Sequence, residues 1–308
     1  MVMILFASVD GYAYFGRAFV AAFATFVVLF GGALLFAARG VVEQVSVAGP
    51  GAGWLFAVAI FCMYVMYGIG TGTVTLLRMG EVAVFLFAPL AVLASAGGAA
   101  AGSWQDFLVI AGVWAAVKFW PSQAMWPYPE GRLSYILTVL LGVNVAIAGF
   151  LLLRRLKGVG YSIGWGQGWT FSIVASFGAF AAIAVFLGLS MKFIAFAPQW
   201  SHLKTEPVLA LGILFFTAWP EELLFRGLLQ NCLTRAAKNE WVGWIGASIL
   251  FGFSHITNMR FPNWKYVVLA SIAGFFYGWT WRKTESIFAS ALVHAGVDVL
   301  WHFLFRTL

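Results

Sequence analysis

A succession of long apolar runs, several of them closed by an arginine, decides most of what this chain can fold into. Tyr14 to Ala38 carries one charge, Arg17, and Trp54 to Leu77 carries none before Arg78. A helix needs about 20 mostly apolar residues to cross a bilayer. Val82 to Ala101, Ser134 to Leu153, Trp169 to Met191, Val208 to Leu233, Trp241 to Ile256, Tyr266 to Trp281 and Ile287 to Phe305 meet or approach that length. Phe107 to Trp120 is shorter, holds Lys118, and reads as an interfacial or re-entrant helix. Pro121, Pro127 and Pro129, among Trp126 and Tyr128, mark an interfacial loop after it. The pattern predicts an all-α, polytopic integral membrane protein of about nine transmembrane helices.

Composition agrees. Of the 308 residues, 62% are hydrophobic and 9% charged, against about 25% charged in a soluble domain. The 15 Trp suit a membrane–water interface. The net charge of +7 sits in short loops such as Arg154, Arg155 and Lys157. That placement points to anionic lipid as a partner and to a cytoplasmic side for this loop. No basic stripe is long enough to track a phosphate backbone, so nucleic acid is excluded as a partner. Cys62 and Cys232 lie in apolar runs and imply no disulfide framework. Met1 to Asp10 lacks the basic region and cleavage site of a signal peptide. Gly158 to Gly168 is glycine-rich but has no G-K-[ST] ending, and reads as a plain connection. No internal repeat stands out, which argues against a transporter built from inverted halves.

Ionisable residues are costly in hydrocarbon, so each one deep in a span is a functional candidate. The first six runs hold almost none beyond their ends. The last four hold Glu221, Glu222, Arg226, His255, His294, Asp298 and His302. Glu222 and Arg226 are four apart and share a helix face, where they can form a neutral pair. Glu221 points about 100° away, without that partner. Pro220 lacks an amide donor, so the helix is expected to kink or restart there. A carboxylate in a low-dielectric site suits general acid–base work; the same charges also suit a structural network between helices. His255, late in its span, reads as an interhelical hydrogen bonder or, facing Glu221, as a partner in activating water. His294, Asp298 and His302 lie on one helical stripe. His294 can donate to a developing oxyanion, ligate a metal, or pair with Asp298 to lock packing.

Glu221-Glu222-x-x-x-Arg226, then Phe251-x-x-x-His255, then His294-x-x-x-Asp298, in that order on successive membrane segments, resemble the motifs of the CAAX prenyl proteases and bacteriocin-processing enzymes. These are the Abi, CPBP or Rce1-like intramembrane proteases. The resemblance covers roughly the last third of the chain. It implies a C-terminal four-helix catalytic core over residues 205–308, with residues 1–204 as an N-terminal transmembrane extension. It also implies a cavity between helices in which Glu221 with His255 activates water, Arg226 holds Glu222, and His294 with residue 298 forms the oxyanion hole. Asp298 stands where the best-known form of the motif has an amide, and an ionised Asp cannot donate to an oxyanion.

The resulting expectation is an intramembrane endopeptidase. Its substrate is a peptide or protein with a membrane-associated tail, and its location a bacterial cell membrane. No cofactor is expected, although Glu, His and Asp are acceptable zinc ligands and zinc stays open. A metal-dependent membrane hydrolase and a non-enzymatic immunity or assembly factor on the same scaffold are the alternatives.

Overall fold

Apolar helices with few breakers dominate from Arg17 to the C-terminus, and the computed structural model describes residues 16–308. The signal-peptide reading of Met1 to Asp10, and the start of the first run at Tyr14, lie outside the described residues. The chain divides into two compact units, Met1–Lys157 and Gly158–Leu308.

In the first unit, α1 (Arg17–Ala37), α3 (Gly51–Thr71), α4 (Leu76–Ser95) and α7 (Arg132–Leu153) are long and apolar enough to cross a membrane. Shorter helices connect them: α2 (Val41–Ser46), α5 (Trp104–Phe119) and α6 (Ser122–Met125). Almost the whole of α7 is buried, because α1, α3, α4 and α5 all pack on it. Its buried amide, Asn144, donates through Nδ2 to the carbonyls of Leu29 (3.0 Å) and Leu140 (2.7 Å). A buried amide so bonded ties two helices without leaving its donors exposed to hydrocarbon. Arg154, one of the loop charges, is paired with Asp106 at 2.9 Å. Asp106 also accepts from the backbone of Gly102 and Ser103 at the start of α5.

The second unit holds α8 (Trp169–Ser190), α9 (Glu206–Ala237), α10 (Glu240–Phe253), α11 (Trp264–Thr284) and α12 (Ile287–Leu304). A two-stranded antiparallel ribbon, β1 (Ile194–Phe196) with β2 (Phe305–Thr307), pairs Ile194 with Thr307 and Phe196 with Phe305. It closes the ends of α8 and α12 and is the one departure from an otherwise helical architecture among the described residues.

Seven helices among the described residues are long and apolar enough to span, fewer than the nine the sequence suggests. The difference lies in α10 and α11, while the short α5 is the one the sequence reads as interfacial or re-entrant. Helix α5 has 16 residues, and α10 has 14. At 1.5 Å per residue, the latter covers about 21 Å of a hydrocarbon core about 30 Å thick. Helix α11 has the length, 21 residues, but holds three Trp, two Tyr and two Gly and carries Lys265, Arg282 and Lys283.

Helices α10 and α11 run against each other through small residues. A Cβ on Gly274 would stand 3.1 Å from the backbone of Ser248, and one on Gly278 would stand 2.7 Å from Gln230 Oε1 and from the Trp244 ring. Gly274-x-x-x-Gly278 therefore works as the close-approach face its spacing suggests. Gly278→Leu should lower the midpoint of thermal unfolding in detergent, since overpacking costs roughly 1–3 kcal/mol. An unchanged melting profile would show that this contact is not tight.

Candidate active site

The centre of the second unit is built on α9. Pro220 removes an amide donor and crowds the carbonyl four residues back, so a kink or restart was expected. The helix does not restart but runs on from Glu206 to Ala237, with wide π-type turns flanking the proline at Leu214–Ala218 and Leu223–Gln230. Such turns relieve the clash by opening the ladder and are frequent at functional sites. They leave Glu221 and Glu222 side by side in the short α-helical stretch Trp219–Glu222.

Glu222 and Arg226 have no exposed side-chain surface, and Arg226 Nε donates to Glu222 Oε2 at 3.0 Å. The same oxygen accepts from Ser290 Oγ at 2.6 Å, and Oε1 accepts from His294 Nδ1 at 3.0 Å. Each oxygen of this carboxylate is thus occupied, by groups from α9 and α12. The Arg226 guanidinium also lies over the Phe251 ring, 5.0 Å from its centroid, a cation–π contact of the kind that supports a desolvated cation.

His294 is the hinge between a closed side and an open one. Its Nδ1 faces the buried pair. Its Nε2 faces Asp298 Oδ2 at 3.6 Å and Glu221 Oε2 at 3.9 Å, two carboxylates whose side chains are about a third exposed. The Tyr277 ring stacks on the imidazole at 4.6 Å and 18°.

His255 does not lie within the helix, as the apolar run to Ile256 suggested. Helix α10 ends at Phe253, and His255 sits in the turn beyond it. Its Nδ1 is 2.9 Å from the Phe251 carbonyl and 3.0 Å from Ser254 Oγ. A carbonyl only accepts, so Nδ1 carries a proton and Nε2 holds the lone pair of the neutral ring. Phe251 packs against both histidines, at 4.8 Å from His255 and 5.6 Å from His294.

Glu221, Glu222, Arg226, His294 and Asp298 therefore come together, with Phe251 linking His255 to them. His302, on the same stripe as His294, is exposed at the end of α12. Ser290 and Tyr277 were not singled out in the sequence. Ser290 had a signal: it lies four residues before His294, on the stripe already identified. Tyr277 had none beyond being aromatic.

The glycine-rich connection before α8 braces this arrangement. Gly160 has φ +73° and its site has no room for a Cβ against Glu285, while its carbonyl accepts from Ile287 N at 3.1 Å. The next residue, Tyr161, stacks on Trp219 at 5.4 Å. Among the described residues, no three His, Cys, Asp or Glu side chains converge in a geometry that would hold a metal ion.

Residues 203–300 match the family described as Type II CAAX prenyl endopeptidase Rce1-like. No curated protein and no solved structure matches the chain.

Removing Arg226 would strand Glu222 as a buried charge. Arg226→Ala should therefore cost roughly 3–5 kcal/mol of stability, read as a lowered unfolding midpoint and a lower yield of folded protein in detergent. Ser290→Ala removes one hydrogen bond to the carboxylate and should cost roughly 1.5–3 kcal/mol. A normal melting profile for both variants would contradict the buried network.

Proposed function

We propose, from the Rce1-like family to which residues 203–300 belong, that this multi-pass membrane protein hydrolyses peptide bonds with a water molecule activated by Glu221 and His255. The match supports a CAAX-type intramembrane endopeptidase acting on a peptide or protein at the membrane. One observation carries it: His294 is gripped at Nδ1 by a fully engaged Glu222, while its Nε2 faces the partly exposed Glu221 and Asp298.

In this reading Glu221 takes a proton from water, and the water oxygen bonds to the scissile carbonyl carbon. The carbonyl π pair moves onto oxygen, where His294, protonated at both nitrogens, donates from Nε2. Collapse restores the carbonyl and breaks the C–N bond, and the amine leaves with the proton that Glu221 held. His255, with its lone pair at Nε2, accepts from the attacking water and fixes its direction. Glu222, Arg226 and Ser290 touch no reacting atom; they position His294.

The substrate class is a peptide or protein with a membrane-associated C-terminal tail, and the membrane is a bacterial cell membrane. Residues 205–308 form the protease core, and residues 1–204 a transmembrane extension. Glu221→Gln should abolish cleavage while leaving the protein folded and inserted. C-terminal proteomics of cells expressing wild type or this variant is the measurement. C-termini dependent on wild type and equally abundant with the variant would remove Glu221 as the base.

A zinc-dependent hydrolase would have to draw its ligands from Glu221, His294 and Asp298, which do not converge in a metal-holding geometry among the described residues. The two readings part at Asp298→Asn. Without a metal, the amide supplies a donor to the oxyanion and turnover persists or rises. With zinc, Asn is a far poorer ligand, so metal and activity fall together. Metal content by mass spectrometry, with activity before and after chelation, decides between them.

A further inference from the structure

The end of the second unit at which His255 lies is built from three segments. The turn after α8 leads into the ribbon, where Ala195 is paired with Arg306 and the Phe193 carbonyl accepts from Leu308 N at 2.9 Å. The connection into α9 folds back on the chain leading to β2: Gln199 N donates to the Phe303 carbonyl at 2.8 Å, and the Trp200 ring meets the Phe303 ring at 5.3 Å. The loop from α10 to α11 is strapped by Asn263, whose N donates to the Ile256 carbonyl at 2.9 Å and whose Nδ2 donates to the Asn258 carbonyl at 3.1 Å. Lys265, at the start of α11, ties this loop to the first segment by donating to the Met191 carbonyl at 2.7 Å. The next ring, Tyr266, meets Phe193 at 5.6 Å and His255 at 4.9 Å. The three segments therefore form one surface beside the candidate site.

Its charge is of one sign. Lys192, Lys204, Arg260, Lys265 and Arg306 belong to it, and all but Lys265 are exposed. Among the described residues of these segments the one acid is Glu206, and it is buried. At the opposite end of α10, Arg235, Lys238, Arg282 and Lys283 are accompanied by Glu240 and Glu285, and Arg282 is paired with Glu240. Apolar side chains are exposed between the basic ones, in the runs Leu203-Lys204, Met259-Arg260-Phe261 and Trp264-Lys265; Met259 is 70% exposed and Phe261 75%. Lys and Arg are costly in hydrocarbon, so they mark where it ends. At 1.5 Å per residue, the stretch of α11 from Lys265 to Arg282 is about 26 Å long, close to a hydrocarbon thickness of about 30 Å.

We propose that this surface binds acidic phospholipid headgroups, with Lys192, Lys204, Arg260 and Arg306 engaging their phosphates while Met259, Phe261 and Trp264 enter the layer beneath. Basic residues beside exposed aromatic and aliphatic ones suit a headgroup layer, which offers anions above and hydrocarbon below. An acidic peptide would meet the charges but give the apolar side chains nothing to enter. His255 then lies beside the headgroup layer rather than at the centre of the bilayer. The contact needs no turnover, so it stands apart from the hydrolytic reading.

The test is local quenching. The full chain, with the exposed Cys62 replaced by Ala and Met259 by Cys, takes an environment-sensitive fluorophore at residue 259, since Cys232 is buried. It is reconstituted in phosphatidylcholine vesicles containing a small fraction of doxyl-labelled phosphatidylglycerol or doxyl-labelled phosphatidylcholine. Phosphatidylglycerol should quench several-fold more strongly, because each basic side chain near an anionic surface is worth about fivefold in affinity. Lys204→Gln, Arg260→Gln and Arg306→Gln together should bring the two lipids within about twofold of each other. Lys238→Gln with Lys283→Gln, at the other end of α10, should leave the preference in place. Raising the salt should weaken it in the labelled chain without the Gln substitutions, a reading that depends on no charge variant folding. Equal quenching by the two lipids, quenching by neither, a preference indifferent to salt, or one that survives the triple variant overturns the proposal. Equal quenching with a fluorophore shielded by added polyglutamate would assign the surface to an acidic peptide instead.

Discussion

A carboxylate and a guanidinium with no exposed surface are expensive anywhere, and more so in a chain in which 9% of residues are charged. Glu222 and Arg226 are sustained by what surrounds them. Three groups donate to the carboxylate, two of them from α12, and an aromatic face lies under the guanidinium. Buried ion pairs are weak evidence for stability, because desolvation offsets much of their attraction. Their value here is geometric. Removing either partner leaves a bare charge, so the network holds one arrangement, and that arrangement fixes the ring plane of His294 through its Nδ1 contact with Glu222. Everything on the open side of the imidazole inherits its position from this buried pair.

Much of this was legible in the sequence because intramembrane charges are so few. The spacing of four at Glu222 and Arg226, and again at His294 and Asp298, correctly placed each pair on one face. Spacing could not show which oxygen meets which donor. Ser290 was therefore passed over, since a lone serine in an apolar helix is ordinary, and its importance depends on Glu222 lying 2.6 Å away on another helix. Pro220 was expected to kink or restart α9, because its local cost is plain and the widened turns on either side of it have no sequence signature. For a similar reason seven rather than nine helices among the described residues have the length and apolarity of a span: apolar composition does not separate a spanning helix from the short α10, which packs on α11.

Polar side chains are not confined to the second unit, so their mere presence does not mark the site. In the first unit, Asp106 is consumed by Arg154 and by the amides at the start of α5. Asn144 binds two carbonyls, Tyr64 donates to the Met125 carbonyl at 2.7 Å, and Tyr67 pairs with the backbone of Tyr128. Each ties a helix end or a loop to its neighbour. Glu221 and Asp298 differ in kind: both are partly exposed and both stand near 4 Å from a nitrogen they do not hydrogen-bond. Both therefore stand on the open side of His294, where a group entering the site would meet them.

The glycines between α10 and α11 connect this chemistry to packing far from it. Gly252, Gly274 and Gly278 let the two helices approach until backbone meets backbone and ring. That approach sets the depth of Phe251, whose ring lies under Arg226 and in contact with both histidines and Tyr277. A displacement of α11 would move Tyr277 off the His294 ring and Tyr266 relative to His255 at the same time, since both tyrosines ride on that helix. The aromatic contacts therefore make the spacing of two helices and the spacing of the candidate site residues one variable. A chain with so little charge can then set the geometry of a polar site through apolar contacts, which are plentiful in it and cost no desolvation of charge.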